Sequence, residues 1–371
     1  MKLLIFISSL ASGGAERVTA NLANYWAEKG WDVTIVTLAS QRDDFYELSP
    51  AVKRIALGLD SESKNVLVGL TQNIRRIFAL RRVLRQTQPD VALAMMTGSN
   101  ILLAFASMGL TQTRTVGSER IYPPQCPLGV VWEWLRSKSY GHLDAVVAQT
   151  NEGAQWLKMH TTAKRVAAIH NPVRWPLTNQ LPHVDIKNVY RTGRNLLLAI
   201  GRLSSQKQFC LLIDNFHSLT NRYSDWDMVI LGEGPLRSEL EAQVREAGLG
   251  NRIFLPGRAG NVGDWYERAN LYVLSSRFEG FPNSLLEAMS YGLPVVSFDC
   301  DTGPRDIIRH DVDGSLVAAQ DKEGLTAALD RLMSNSTLRN RYAERAVEVR
   351  ERFAIQRVAD KWEEVFMEIR K

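Results

Sequence analysis

Short apolar, β-branched runs alternate with helix-length amphipathic segments along nearly the whole chain, and no other feature constrains the fold as strongly. In the first half the runs are Leu3–Ser8, Asp32–Leu38, Lys53–Leu57, Val91–Met96, Thr113–Gly117, Ala145–Ala148 and Arg165–Ile169. A second series follows at Asn195–Ile200, Asp227–Leu231, Arg252–Leu255, Leu271–Leu274 and Pro294–Phe298, with helices predicted from Asp321 to the end. Runs of this kind are strands buried on both faces, and helices between them make βαβ units with a parallel sheet. Residues 171–194 break the pattern with three prolines and little periodicity, so they read as a linker. Two doubly wound α/β domains are expected, 1–172 and 173–353, with a helix at about 354–371 free to pack back on the first. A hinge between such domains sets a ligand cleft between the carboxyl ends of both sheets.

Composition agrees. A chain of 371 residues suits two domains, and 45% hydrophobic residues excludes disorder. Cys126, Cys210 and Cys300 are odd in number and far apart, which argues against a disulfide framework or a zinc site and for a reducing, cytosolic compartment. The net charge of +5 is uneven: residues 1–170 carry a balance of +6 and the rest −1. The opening MKLLIFISSLASGG imitates a signal peptide, but the amphipathic AERVTANLANYWAEKG continues it directly. It therefore reads as a first strand, a Gly-rich turn and a helix from about Gly14. Val91 to Thr113 is uncharged and as long as a membrane span, yet Thr97-Gly98-Ser99-Asn100 interrupts it. A strand, a loop and a buried helix over Ile101–Leu110 are expected there, and no transmembrane helix anywhere.

No G-x-x-x-x-G-K-[ST] is present, no G-x-G-x-x-G follows the first strand, and the second strand ends Thr37-Leu38-Ala39-Ser40 without a ribose-binding acid. A nicotinamide oxidoreductase is disfavoured. The most informative stretch is Ser275 to Gly292, SSRFEGFPNSLLEAMSYG. Asn283 is a plausible N-cap, Ser284–Tyr291 the helix and Gly292 its stop, so a helix N-terminus suited to a diphosphate follows a strand. Glu279 and Glu287 flank it, eight residues apart. Carboxylates repel phosphate but accept from hydroxyl groups, and a nucleotide sugar carries hydroxyls on both sides of its diphosphate. Taken alone, the pair also reads as a turn acid and an ordinary helix acid. A second element strengthens the anion reading: Gly201-Arg202-Leu203-Ser204-Ser205-Gln206-Lys207-Gln208 follows the first strand of the second domain. Arg202 can fork onto phosphate and Lys207 adds a point charge at the next helix start. Gly232-Glu233-Gly234-Pro235 and Pro256-Gly257-Arg258 lie at further strand ends of the same rim, where Arg258 could stack on a base or simply complete a turn.

The order GGAER (13–17), GRLSSQK (201–207), GEGP (232–235), LPG (255–257), FEGFPNSLLEAMSYGLPVV (278–296) and TGP (302–304) closely resembles glycosyltransferase family 4, over essentially the whole chain. The resemblance implies two Rossmann-like domains facing each other in the GT-B architecture, and retaining sugar transfer from a nucleotide sugar without a metal or other cofactor. It implies Arg202 and Lys207 on the diphosphate, Glu287 on the ribose and Glu279 on the donor sugar. Backbone around Gly280, Phe281, Pro282, Asn283, Ser284 and Leu285 would complete that site. Gly13 and Gly14 would let the first-domain loop approach the diphosphate. Glu119 and Arg120, in VGSERIYPP, are candidates near the anomeric carbon, with Arg120 on the acceptor side. Many relatives carry a histidine there, whereas a subset acting on bacterial lipid-linked oligosaccharides reads Ser-Glu-Arg. Glu119 is then a general base or an acceptor-hydroxyl ligand; a plain Glu–Arg surface pair is the alternative. Asp301 departs from the proline that such relatives often place before Thr-Gly-Pro, which leaves the donor open between UDP-linked N-acetylhexosamine and hexose.

Lys64 to Arg85 holds six cations (Lys64, Arg75, Arg76, Arg81, Arg82, Arg85), no acid, and apolar residues Leu67, Leu70, Ile74, Ile77, Phe78 and Leu84 at helical spacing. Such a helix can lie on anionic lipid or hold pyrophosphate, with an ordinary surface helix as the alternative. Trp132 and Trp134 read as an interfacial aromatic pair or as core. The expected partners are a nucleotide-sugar donor, a lipid-linked saccharide acceptor and the inner face of the cytoplasmic membrane, to which the protein would be peripheral. Nucleic acid is disfavoured, because aromatic and basic residues do not interleave. Two other readings are a non-catalytic membrane or polyanion binder using 64–85, and another GT-B enzyme such as a nucleotide-sugar epimerase.

Overall fold

In the computed structural model, which describes residues 1–61, 66–190 and 193–371, the chain divides into two compact units. Met1–Pro172 with Ile355–Lys371 form the first unit, and Val173–Ala354 the second.

The first unit opens with β1 (Lys2–Ile7), α1 (Gly14–Glu28), β2 (Asp32–Thr37) and β3 (Lys53–Ala56). It continues through α2 (Val66–Thr87), β4 (Val91–Met95), α3 (Thr97–Ala106) and β5 (Arg114–Ser118). Next come α4 (Val130–Ser139), β6 (Ala145–Ala148), α5 (Asn151–His160) and β7 (Val166–Ala168). All seven strands are parallel, in the order β3-β2-β1-β4-β5-β6-β7. The chain turns leftward from β1 to β2 and then runs rightward from β3 to β7. Right-handed crossovers therefore place α1 on one face and α2, α3, α4 and α5 on the other. Two core clusters match these faces: Val18, Leu22 and Trp26 of α1 pack under one, and Leu80, Leu84, Leu103 and Leu157 under the other.

The second unit holds a short α6 (Ile186–Val189), then β8 (Asn195–Ile200), α7 (Phe209–Leu219), β9 (Trp226–Leu231) and α8 (Arg237–Glu246). It continues with β10 (Ile253–Gly257), α9 (Val262–Arg268), β11 (Leu271–Leu274), α10 (Asn283–Ser290) and β12 (Val295–Asp299). After α11 (Pro304–Ile307), β13 (Gly314–Ala318), α12 (Lys322–Ser334), α13 (Ser336–Ala346) and α14 (Val349–Arg352), the chain ends in α15 (Ile355–Arg370), which belongs to the first unit. The six parallel strands run β10-β9-β8-β11-β12-β13, so chain direction reverses between β8 and β11. Ligands of open α/β sheets bind outside the carboxyl ends of the strands at such a switch point.

α15 buries Val358, Ala359, Trp362, Val365, Phe366 and Ile369, a helical stripe, in the core beneath α1. Phe366 lies 5.6 Å from the Trp26 ring, and Glu363 accepts from Trp26 Nε1 at 3.2 Å and from Lys29 Nζ at 2.8 Å. Each large apolar side chain so buried is worth about 1.5–3 kcal/mol.

Three local expectations need correction. Thr97-Gly98-Ser99-Asn100 is not a loop but the first turn of α3, which ends at Ala106 rather than Leu110. The turn forms because Asn100 N–H bonds Met96 C=O, Asn100 Oδ1 accepts from Ser118 N–H, and Thr97 Oγ1 donates to Glu119. Most of the expected linker is packed on the second unit: Gln180 N–H bonds Gly260 C=O, Val184 N–H bonds Asn261 Oδ1, and Leu177 N–H bonds Tyr291 Oη. Finally, β13 escaped sequence reasoning altogether; its GSLVA has only two branched residues and lies among polar turns.

Candidate active site

In the second unit, five loops at the carboxyl ends of β8 to β12 form one rim. After β8, residues 201–208 run over the edge and a short 3-10 turn at Ser205–Lys207 leads to α7. This loop is stitched to the one after β11 by three hydrogen bonds. Arg277 N–H donates to Gln206 C=O at 2.8 Å, Gln206 Nε2 to Phe278 C=O at 2.9 Å, and Ser275 Oγ to Lys207 C=O at 2.7 Å. Each is worth about 1 kcal/mol net, so together they tie the two loops to each other. Their charged side chains consequently meet: Lys207 Nζ lies 2.5 Å from Glu279 Oε1, with both side chains largely buried. This is the switch point between β8 and β11.

Close backbone contact fixes the neighbouring loop as well. A Cβ at Gly234 would stand 2.3 Å from Leu203 C=O, so only glycine lets the GEGP turn lie against the 201–208 loop. Gly303 has φ +96°, and a Cβ there would meet Gly280 C=O at 2.6 Å. Thr302 Oγ1 also donates to Glu279 C=O at 2.6 Å, which ties the TGP turn to the same carboxylate's backbone.

Glu287 is 5% exposed and accepts from Tyr266 Oη at 3.2 Å; Tyr266 also donates toward Ser284 C=O, and Tyr272 Oη to Ser284 Oγ at 2.8 Å. Burial raises the Tyr272 phenol well above its ordinary pKa, so it stays a donor. Two tyrosines missed by sequence reasoning thus fix the start of α10; a β-strand aromatic such as Tyr272 gives no local sign of that role. Asn283 is not the N-cap but the first residue of α10, whose cap is Pro282. Proline has no N–H to satisfy, and helix geometry turns the first-turn amides of Ser284 and Leu285 outward at the rim. Phe281 is buried against Phe353, so its contribution is packing of the turn as well as backbone. Arg202 and Arg258 are both exposed at the ends of β8 and β10, and among the described residues neither has a side-chain partner. Cys300, beneath Glu279, is pushed up to about 12 by burial and stays a thiol.

In the first unit the carboxyl rim is built differently. Met96, between β4 and α3, has φ +81°, a strained conformation for a non-glycine that typically costs about 1–3 kcal/mol. Beside it Glu119, after β5, is 3% exposed and accepts from Tyr140 Oη and from Thr97 Oγ1 at 2.8 Å. Asn100 Nδ2 holds the Tyr140 hydroxyl at 3.1 Å. Burial raises the Glu119 pKa above the usual carboxylate range, more than its two donors lower it. Glu119 and Arg120 are therefore no surface ion pair.

Arg120 was expected on the acceptor or membrane side, but it is 6% exposed. Its guanidinium bonds Asn171 Oδ1, which also accepts from Gln149 Nε2, and among the described residues its Nε has no partner. Desolvation lowers it to about 10, partly offset by Glu16. No lipid headgroup can reach a side chain so enclosed. Gly13 caps α1, and the Glu16 carboxylate folds back over it, occupying the place where a Cβ would stand. Gly14 is the first residue of that helix. A wide cavity of about 530 Å³ lies at the outer strands of the rim, lined by Ser40, Gln41, Arg42, Ala56, Leu57 and Gly58.

The basic helix has two kinds of arginine. Arg76 bonds Leu59 and Ser61 carbonyls and Arg81 the carbonyls of Ala106 and Met108, so both serve the fold. Arg75, Arg82 and Arg85 are exposed; Lys64 lies outside the described residues. Trp134 is 59% exposed, which overturns core packing for that residue. Among the described residues no helix is long and apolar enough to cross a membrane.

Residues 12–174 match the sequence profile of the family described as Glycosyltransferase Family 4, and residues 184–349 that of Glycosyl transferases group 1. The chain is 26% identical to the amylovoran biosynthesis glycosyltransferase AmsD of Erwinia amylovora, over 98% of this chain and 99% of the relative. It is 27% identical to the GalNAc-alpha-(1->4)-GalNAc-alpha-(1->3)-diNAcBac-PP-undecaprenol alpha-1,4-N-acetyl-D-galactosaminyltransferase of Campylobacter jejuni, over 100% and 99%. Its fold superposes on the crystal structure of Anabaena HepE in complex with UDP with a TM-score of 0.77, at 17% identity and covering 99% of this chain and all of that one. With two adjoining family domains spanning both units and the GT-B architecture throughout, the chain belongs to the family 4 glycosyltransferases.

Proposed function

We propose that this glycosyltransferase is a retaining enzyme that moves an N-acetylhexosamine or hexose from a UDP-sugar to a lipid-linked saccharide on the cytoplasmic membrane surface, in bacterial glycan assembly. The observation that carries the reading is the Lys207–Glu279 pair at the switch point of the second unit, with Glu287 eight residues along. A cation and a carboxylate held 2.5 Å apart can separate onto a phosphate oxygen and a sugar hydroxyl that are neighbours in a nucleotide sugar. The name of the Campylobacter relative supports the class of acceptor, that of the Erwinia relative supports a place in glycan assembly, and the UDP complex of the Anabaena protein supports the nucleotide.

In the proposed mechanism, cleavage of the anomeric C–O bond leaves the electron pair on the UDP β-phosphate. Arg202, Lys207 and the α10 N-terminus receive that charge without a metal, as fixed electrostatics that need no reorganisation during the step. Glu287 holds the ribose and Glu279 the transferred sugar. The acceptor hydroxyl attacks from the leaving-group side, and its proton passes to the departing phosphate. Glu119 orients that hydroxyl or takes the proton in its place.

The test is a thermal-shift and transfer panel of UDP-, GDP- and ADP-sugars with a polyprenyl-diphosphate saccharide acceptor, in the presence and absence of EDTA. The reading requires stabilisation and transfer with UDP-sugars, α-configured product by NMR, and no loss to EDTA. Transfer from GDP-sugars alone, or a β product, would overturn it.

A further inference from the structure

The helical layer formed by α2, α3 and α4 leaves an apolar edge uncovered. In α4 the first turn faces solvent: Val130 is 88% exposed, Val131 67% and Trp134 59%. In α2, Leu70 (59%), Ile74 (44%) and Phe78 (66%) form one exposed stripe at four-residue spacing. α3 packs against both helices. Each of these helices runs antiparallel to the strands it connects, so its N-terminal half lies at the carboxyl end of the sheet. The Leu70–Phe78 stripe and the Val130–Trp134 tip therefore share one end of one layer, on either side of the α3 N-terminus, where Thr97 holds Glu119.

Charge identifies what covers this edge. The α2 stripe continues past Phe78 into Arg82 and Arg85, with Arg75 beside Ile74; all three are exposed, and α2 contains no acid. The α4 tip has one acid, Glu133, already committed to Arg136. An apolar rim bearing tryptophan, backed by cations without counter-ions on α2, complements an anionic leaflet: apolar side chains enter the acyl boundary and arginines meet headgroups.

We propose that the α4 tip is a membrane-inserting wedge that works with the α2 stripe, so that the enzyme enters an anionic bilayer with two apolar elements and does not merely adsorb by charge. This deepens the membrane reading above and rests on it for the acceptor. Seated in this way, the leaflet lies along the N-terminal ends of these helices, at the carboxyl end of the sheet. A lipid-linked acceptor then leaves the bilayer between α2 and α4 and meets Thr97 and Glu119 first.

The test uses the full chain and vesicles of phosphatidylcholine with or without phosphatidylglycerol. V130D/V131D should lower the partition coefficient onto anionic vesicles at least about tenfold, the equivalent of 1.4 kcal/mol. Trp134→Phe should remove most of the blue shift and brominated-lipid quenching that wild-type tryptophan fluorescence shows on binding. Transfer to a short-chain, detergent-soluble acceptor should be unchanged in both variants, which separates failure of the wedge from failure of the glycosyltransferase reading. Circular dichroism and melting temperature verify folding, and Val131→Lys is a milder second variant. Undiminished binding by V130D/V131D and Val131→Lys overturns the proposal. So does quenching by aqueous iodide but not by brominated lipid, or a wild-type dimer that V130D/V131D dissociates.

Discussion

Both units place a doubly wound parallel sheet behind a rim of loops, and both put acidic and basic side chains on that rim. Their electrostatics are opposite. In the second unit Lys207 pairs with Glu279, and Arg202 and Arg258 are open to solvent, with Glu287, enclosed beside Tyr266, as the exception. In the first, Glu119 and Arg120 are enclosed and their hydrogen-bond partners are neutral groups, namely Tyr140, Thr97 and Asn171, with the Arg120 Nε left without a partner among the described residues. A rim of the first kind suits a ligand that is always ionised, such as a diphosphate. A rim of the second kind suits a partner whose protonation changes, because a buried carboxyl holds its proton into a higher pH range.

Breaking the ionic rim should have the largest effect. Glu279→Gln and Lys207→Ala are each expected to lower turnover on the order of a hundredfold to a thousandfold, read in a coupled nucleotide-release assay. Lys207→Ala should also destabilise the fold, since it leaves Glu279 buried without its cation. Wild-type turnover in both would remove the second unit's rim from the chemistry.

Next is the neutral rim. Glu119→Gln should reduce kcat about a hundredfold, and the acid limb of the wild-type pH–rate profile should lie above the ordinary carboxylate range and vanish in the variant. The sign for stability follows from the same shift. The folded protein binds this proton more tightly than the unfolded chain, so stability falls as pH rises from the ordinary carboxylate pKa through the raised one. Urea titrations across that window should show the slope in wild type and a weaker one in Glu119→Gln.

Smaller effects sharpen the contrast. Gly303→Ala forces a Cβ onto Gly280 C=O at a positive φ and should cost about 2 kcal/mol, a fall in Tm of roughly 4–8 °C by calorimetry. Arg202→Lys keeps the charge but loses the fork, so kcat should fall and donor KM rise, with kcat/KM down about tenfold. Smallest is the effect at Cys300: its raised pKa and burial predict no labelling by maleimide in the native protein while half-buried Cys126 reacts, read by mass spectrometry.

Periodicity was enough to place most strands within a residue or two, because each is a local apolar run. The second unit's rim was likewise legible, since strand, Gly/Pro turn and helix start are contiguous in FEGFPNSLLEAMSYG. What escaped depends on partners distant in the chain. The enclosure of Arg120 rests on Asn171, fifty-one residues away, and the raised Glu119 pKa on burial that outweighs the hydrogen bond from Tyr140, so neighbouring residues show neither. Gly98 and Ser99 read locally as a loop, but anchoring of Thr97 and Asn100 to β5 and its end outweighs propensity there.

The helix α15 carries a consequence for biosynthesis. The core under α1 lacks Val358, Trp362 and Phe366 until residues 355–371 have been made, although β1 and α1 are synthesised more than three hundred residues earlier. The second unit is contiguous and can close its own core earlier, so of the two units the one begun first is the last to finish folding. During that interval its unfilled apolar face is the surface most exposed to chaperones and aggregation.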